Sequence, residues 1–202
     1  MAVAIILNSP EFNDRISEKK VIYADGAYKF ADFFKDKTVI GVVGDFDSLK
    51  YIPDKERVVL LNEEKNFTDG ERAVLYAKEC GESEVVIYGA FGGKTEHILG
   101  NIALLKIAKN LGLKAKLKSE TRFTELLGVG EYGFSVKEKS KVSLVPYGGN
   151  CSFGKSKGLY YPLDGLTITP ADTRGISNVA EDSTITVNIV AGETLIFYEK
   201  KD

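Results

Sequence analysis

The chain has 202 residues, 44% hydrophobic and 28% charged, with a formal net charge of −2. That length can bury a real core as one large domain or two small ones. The near-neutral balance gives no electrostatic footprint for nucleic acid or a membrane surface, so neither is expected as a partner. Cys80 and Cys151 are the only cysteines and His97 the only histidine. This leaves no zinc cluster, no disulfide framework and no Ser-His-Asp or Cys-His signature, and it fits a reducing cytoplasm. The apolar start at residues 2–7 is too short for a secretion signal, and no run reaches membrane-spanning length.

Up to about residue 120, short apolar runs alternate with helical patterns. Strands are expected over residues 3–7, 20–24, 38–44, 57–61, 84–88 and 114–118, and helices over 27–34, 68–80 and 95–110. The last helix carries Ile98, Ile102 and Leu105 on one stripe and Gly112 as its stop signal. The lysines from Lys106 to Lys118 interleave with apolar residues rather than aromatics, which is the pattern of a solvated face. Strand–helix alternation predicts an α/β domain over residues 1–120, its mostly parallel sheet flanked by helices. Beyond residue 120 the rhythm changes. Runs at 141–146, 166–168, 184–190 and 194–198 are strand-like, bounded by Gly, Asn, Pro and Asp, with no amphipathic helix among them. Residues 121–202 are therefore expected to form an all-β sandwich or barrel.

In an open α/β sheet, ligands bind beyond the C-terminal ends of the strands, and four segments occupy such ends. Asp25-Gly26 follows the second strand. Asp45-Phe46-Asp47-Ser48 follows the third, and alternation along an extended chain puts Asp45 and Asp47 on one face. Two carboxylates about 6 Å apart repel by roughly 3 kcal/mol at an effective dielectric near 20, a cost that a hard cation such as Mg²⁺ removes. The plain alternative is a turn with two solvated acids. The third segment, Asn66-Phe67-Thr68-Asp69-Gly70-Glu71, opens a helix. Thr68 and Glu71 form a capping box, which leaves Asp69 either as a dipole-favoured acid or as a metal ligand. The fourth, Gly89 to His97, carries Gly92-Gly93-Lys94 at another helix start. There, close backbone approach, free N–H groups and the charges of Lys94 and His97 suit a phosphate, although a glycine-rich turn with a core or capping histidine is the alternative. Acids and an anion cradle on one sheet edge describe a Mg²⁺-nucleotide site in which transfer depends on positioning and charge stabilisation.

Taken together, these residues resemble the thiamine pyrophosphokinase family. The likeness is carried by Ala24-Asp25-Gly26-Ala27, Gly44-Asp45-Phe46-Asp47-Ser48, Thr68-Asp69 with Glu71, and Gly92-Gly93-Lys94-Thr95-Glu96-His97 followed by Asn101. In the second half it is carried by Val142-Ser143-Leu144-Val145-Pro146, Gly158-Leu159-Tyr160-Tyr161-Pro162-Leu163 and Gly175-Ile176-Ser177-Asn178. The resemblance implies Mg²⁺-dependent transfer of the β,γ-diphosphate of ATP to the hydroxyethyl oxygen of thiamine, by a homodimer with its thiamine sites between subunits. It implies catalytic and metal roles for Asp45, Asp47 and Asp69, with Asn66 at a further metal position. Nucleotide contacts would fall to Asp25, Gly26, Ser48, Thr68, Gly92, Gly93, Lys94 and His97. Thiamine contacts would fall to Tyr161, Ser177 and Asn178, the Tyr161 ring matching a position often held by tryptophan and suited to a flat cation. Three positions depart from the family pattern: Asn66 and Glu96 stand where aspartate is usual, and Lys94 where arginine is usual, which would lose bidentate phosphate binding. Diphosphate transfer to another hydroxyalkyl heterocycle such as a pterin, and a non-catalytic thiamine sensor or carrier, are the competing readings.

Overall fold

The computed structural model describes residues 2–10, 12–45, 58–60 and 67–201. They fall into two compact units, residues 1–120 and 121–202.

The first unit is built on six parallel strands: β1 (Val3–Ile6), β2 (Lys20–Ala24), β3 (Thr38–Gly44), β4 (Val58–Leu60), β5 (Glu84–Tyr88) and β6 (Lys114–Ser119). Their order across the sheet is β6-β5-β1-β2-β3-β4. β1, β2 and β5 are buried along nearly their whole length. Continuous Val/Ile-rich runs are what a parallel sheet covered on both faces requires. Side chains alternate across the sheet. Ala4, Ile6, Val21, Tyr23, Val42, Val86 and Tyr88 share one core cluster with Phe12, Tyr28, Phe30 and Phe34. Helix α1 (Asp69–Glu79) packs on β1, β2 and β3, and helix α2 (Thr95–Asn110) on β6 and α1. The chain steps outward from β1 to β4 and then returns to β5 on the other side of β1. The topological switch point therefore lies between β1 and β5, where ligands of such sheets bind.

Residues 25–34 form a 3-10 helix rather than an α-helix over 27–34. Three residues per turn align Tyr28, Ala31 and Phe34 in one ridge, and all three pack against the core cluster. Phe12 meets Phe30 and Phe34 at centroid distances of 4.8 and 6.0 Å, and Tyr28 meets Tyr23 edge-on at 5.5 Å. On α2 the buried residues are Leu104, Leu105 and Ala108, while Ile98 and Ile102 are half-buried. No described helix is long and apolar enough to cross a membrane.

The second unit is a sandwich of two antiparallel sheets. One has the order β12 (Asn178–Val179), β9 (Lys141–Pro146), β14 (Thr194–Glu199), β7 (Arg122–Leu127). The other runs β11 (Thr167–Ile168), β10 (Cys151–Lys157), β13 (Thr184–Ala191), β8 (Gly130–Ser135). β13 shows the expected alternation, with Ile185, Val187 and Ile189 inward. They share a core with Val142, Leu144, Phe153, Ile196 and other residues from both sheets. β7, β8, β10 and β12 escape the sequence reading. β10 carries Ser, Gly and Lys outward and changes register against β13 at two places, so its alternation breaks after Phe153.

Candidate functional site

The C-terminal edge of the parallel sheet collects the chemistry-bearing segments of the first unit. Ala24 pairs with Val43, so Asp25, the first residue past β2, stands beside Gly44, the last residue of β3. Asp25 is buried and adopts a left-handed backbone, φ 44°, a conformation that Asp tolerates better than most residues. It lies so close to Gly44 that a Cβ there would stand 2.8 Å from the Asp25 Cβ and 3.1 Å from its Oδ1. Gly44 therefore leaves the Asp25 side chain its space, and Asp45, the next residue, is half-buried just past β3. Gly26, next along, is also buried.

Thr68 is the N-cap of α1, and its hydroxyl accepts the Glu71 N–H at 3.2 Å, half of the expected capping box. Asp69 is the first residue of the helix. Gly70 lies against Leu7, just beyond β1, and against Leu104 of α2. This holds the start of α1 at the same sheet edge. Asp47, Ser48 and Asn66 lie outside the described residues.

The loop from β5 to α2 holds three glycines at positive φ: Gly89 at 70°, Gly92 at 103° and Gly93 at 75°. At Gly89 a Cβ would also stand 2.6 Å from the Leu7 carbonyl oxygen, so glycine is required there. Two side chains pin this loop: the Ser9 hydroxyl donates to Phe91 O at 3.0 Å, and Asn101 Nδ2 donates to Ala90 O at 3.0 Å. Lys94 is the N-cap of α2 and makes no side-chain capping bond. Lys94, Glu96 and His97 are all exposed, so His97 is not a core residue. Lys29 adds a cation at this edge, its Nζ 2.8 Å from Asn8 Oδ1, just past β1. Ser9, Asn101 and Lys29 are isolated polar residues in the sequence; only Asn101, nearly two turns into a helix after a glycine loop, carries a usable signal.

A cavity of about 240 Å³ opens beside this loop at the switch point, lined by Ser9, Phe12, Asp14, Gly89, Phe91 and Glu120 among others. Burial pushes the Asp14 carboxyl above its ordinary range, opposed by the Glu120 N–H that donates to it. Among the described residues no three His, Cys, Asp or Glu side chains form a metal-binding group. The donors at this end of the sheet are carboxylates, on the same sheet edge as a glycine loop fit for phosphate. That chemistry suits Mg²⁺, which takes one or two carboxylates and completes its shell with phosphate oxygens and water.

In the second unit, Tyr160 and Tyr161 are exposed at 58% and 62%, their rings edge-to-face with centroids 4.8 Å apart. Ser177 is exposed at φ 62°, its N–H donating to Ser143 Oγ at 3.0 Å. Gly175 permits this path, since a Cβ there would stand 2.0 Å from Leu144 O. Asn178 is buried and exchanges hydrogen bonds with the Tyr161 main chain.

Comparison with known proteins matches each of the two units to a domain family. The thiamin pyrophosphokinase catalytic domain matches residues 15–117, and the vitamin B1 binding domain of the same family matches 133–192. A thiamine pyrophosphokinase of Bacillus subtilis is 30% identical over 145 residues, 67% of this chain and 66% of that protein, so the matched stretch spans just under two thirds of the relative. A crystal structure of thiamine pyrophosphokinase from Bacillus subtilis superposes with a TM-score of 0.85 at 23% identity, covering 100% of both chains. The yeast thiamin pyrophosphokinase gives 0.77 at 13% identity, covering 98% of this chain and 86% of that one. The structural likenesses establish the fold, and the two domain matches, one in each unit, carry the assignment: the chain belongs to the thiamine pyrophosphokinase family.

Proposed function

We propose that the protein transfers the β,γ-diphosphate of ATP to the hydroxyethyl oxygen of thiamine, giving thiamine diphosphate and AMP. In this reaction the bond from the β-phosphorus to the α,β-bridging oxygen breaks. A bond from the thiamine oxygen to that phosphorus forms, the hydroxyl proton is lost, and AMP leaves with the bridging oxygen. The observation that carries the proposal is the single sheet edge at which Asp25, Asp45, Asp69 and the Gly92-Gly93 loop gather. Transfer of this kind asks the protein mainly to position and neutralise phosphates.

The glycine loop and the first turn of α2 offer N–H donors to phosphate oxygens, with Lys94 and His97 adding charge as single points rather than as a bidentate fork. Asp45 and Asp69, with Asp47, would hold Mg²⁺, which when bound neutralises phosphate charge and polarises the group being transferred. Asp25 and Gly26, at the end of β2, would contribute to nucleotide contact. The acceptor belongs to the second unit, where the Tyr161 ring and Ser177 offer a flat face and a hydroxyl to a cationic heterocycle. A homodimer and a cytoplasmic setting complete the proposal.

The test is AMP release from ATP by the purified protein, with and without thiamine. Thiamine-dependent AMP matched by thiamine diphosphate is expected, abolished by chelation of Mg²⁺ and lowered on the order of a hundred-fold by Asp45→Asn. Turnover with hydroxymethylpterin but not thiamine would move the acceptor assignment, and thiamine binding without AMP would make the protein a carrier. Full Mg²⁺-dependent activity in Asp45→Asn would remove the metal assignment.

A further inference from the structure

Tyr161 lies between β10 and β11, outside any strand, yet its main chain is held as firmly as a strand residue. Its N–H donates to Asn178 Oδ1 at 3.0 Å, and its carbonyl accepts from Asn178 Nδ2 at 2.8 Å. One side-chain amide thus satisfies both polar groups of the Tyr161 backbone, as a neighbouring strand would. The same Oδ1 also accepts the Val179 N–H at 2.8 Å. Both acceptor sites of the oxygen and one of two donors on the nitrogen are therefore occupied within the protein. Asn178 is 5% exposed, whereas Tyr161 is 62% exposed. Adjacent backbone bonds extend the clamp: Tyr160 N–H donates to Val179 O at 2.9 Å, and Leu159 bridges Ala180.

We propose that Asn178 is a positioning residue that fixes the Tyr161 ring on the acceptor face, and that it does not itself touch the acceptor. This rests on the functional reading above, in which that face takes the thiamine heterocycle, and it separates Asn178 from Ser177, which is exposed and meets the ligand directly. An exposed ring on an unclamped loop would sample many orientations, and each loss of orientation weakens acceptor binding without altering the phosphate chemistry at the other unit's sheet edge. Asn178 therefore governs the KM for the acceptor and leaves kcat nearly unchanged.

The chain has no tryptophan, so Tyr161→Trp creates a single tryptophan at the ring in question, excited selectively at long wavelength over the remaining tyrosines. In that parent, Asn178→Ala is expected to lower the fluorescence anisotropy and to raise the KM for thiamine about ten-fold, with kcat within about two-fold and the KM for ATP unmoved. In a Tyr161→Ala background, Asn178→Ala should add less than about two-fold, because the ring it positions is already gone. Should Asn178→Ala fail to fold, Asn178→Ser leaves a polar atom in the buried position and undergoes the same comparisons. Unchanged anisotropy overturns the clamp. A full further loss in the Tyr161→Ala background overturns the indirect role and makes Asn178 a ligand contact. An unsubstituted protein without thiamine-dependent turnover overturns the functional reading and with it the acceptor half of the inference, while the anisotropy comparison still decides the clamp.

Discussion

Three buried tyrosines show how differently one residue type can be used. Tyr88 donates to Glu18 at 2.7 Å and Tyr198 to Glu125 at 2.6 Å. Tyr23 is fully buried on β2, and its hydroxyl has no hydrogen-bond partner among the described residues. Burial, with smaller effects from Tyr28 and Asp36, pushes its phenol pKa up to about 12. An unsatisfied buried hydroxyl costs about 1–3 kcal/mol, whereas a charge-assisted one returns a comparable amount. Tyr23→Phe is accordingly expected to raise stability by about 1 kcal/mol, since the ring keeps its edge contact with Tyr28 at 5.5 Å. Tyr198→Phe is expected to lower it by about 1–2 kcal/mol. Urea unfolding with unchanged slope measures both, and a destabilised Tyr23→Phe would mean that the hydroxyl has a partner after all.

At the scale of elements, the ends of β2 and β3 are held together by what Gly44 lacks. Any Cβ there would stand 2.9 Å from the Asp25 Cα as well as against its side chain, so the backbone must give. Gly44→Ala should cost about 1–3 kcal/mol through this crowding and push Asp25 away from the end of β3, with diphosphate transfer falling more than ten-fold. Gly100→Ala in α2 is the matching control, because a Cβ there meets nothing within 4 Å. It should stabilise by about 0.5–1 kcal/mol. Equal activity in the two variants would show that the close approach of Asp25 to Gly44 is not needed. These elements were legible to different degrees, for physical reasons. β2, β3 and β5 announce themselves because both faces are buried, and α1 because Thr68 caps it as the sequence requires. The helix expected over 27–34 is wound as 3-10 because a short aromatic-rich segment satisfies either spacing, and packing of Tyr28 and Phe34 decides between them. β8 and β10 have few apolar residues, β12 is only two residues long and β7 does not alternate, so pairing partners distant in sequence, not local pattern, make them strands. At the candidate site, the glycine loop and acids were readable as segments, but Ser9, the Asp25–Gly44 contact and the Asn178 clamp exist only through long-range contact.

For the whole molecule, each unit has its own apolar core, and the proposed function divides the two substrates between them. That division is open to direct measurement by amide hydrogen exchange. A ligand that binds only the native state stabilises it by about 2.7 kcal/mol at a hundred times its Kd. Mg²⁺ with α,β-methylene-ATP, which cannot undergo the transfer, should slow exchange in the Gly89–Gly93 loop and the first turns of α1 and α2. Those amides belong to the sheet edge that carries Asp45 and the positive-φ glycines. Thiamine should instead slow exchange around Tyr161 and across Ser177–Val179, where backbone N–H groups already pair with Asn178 and Ser143. Protection of the second unit by the nucleotide alone, with none in the first, would reverse the assignment of donor and acceptor. The Asn178→Ala variant would then be expected to weaken nucleotide rather than thiamine protection.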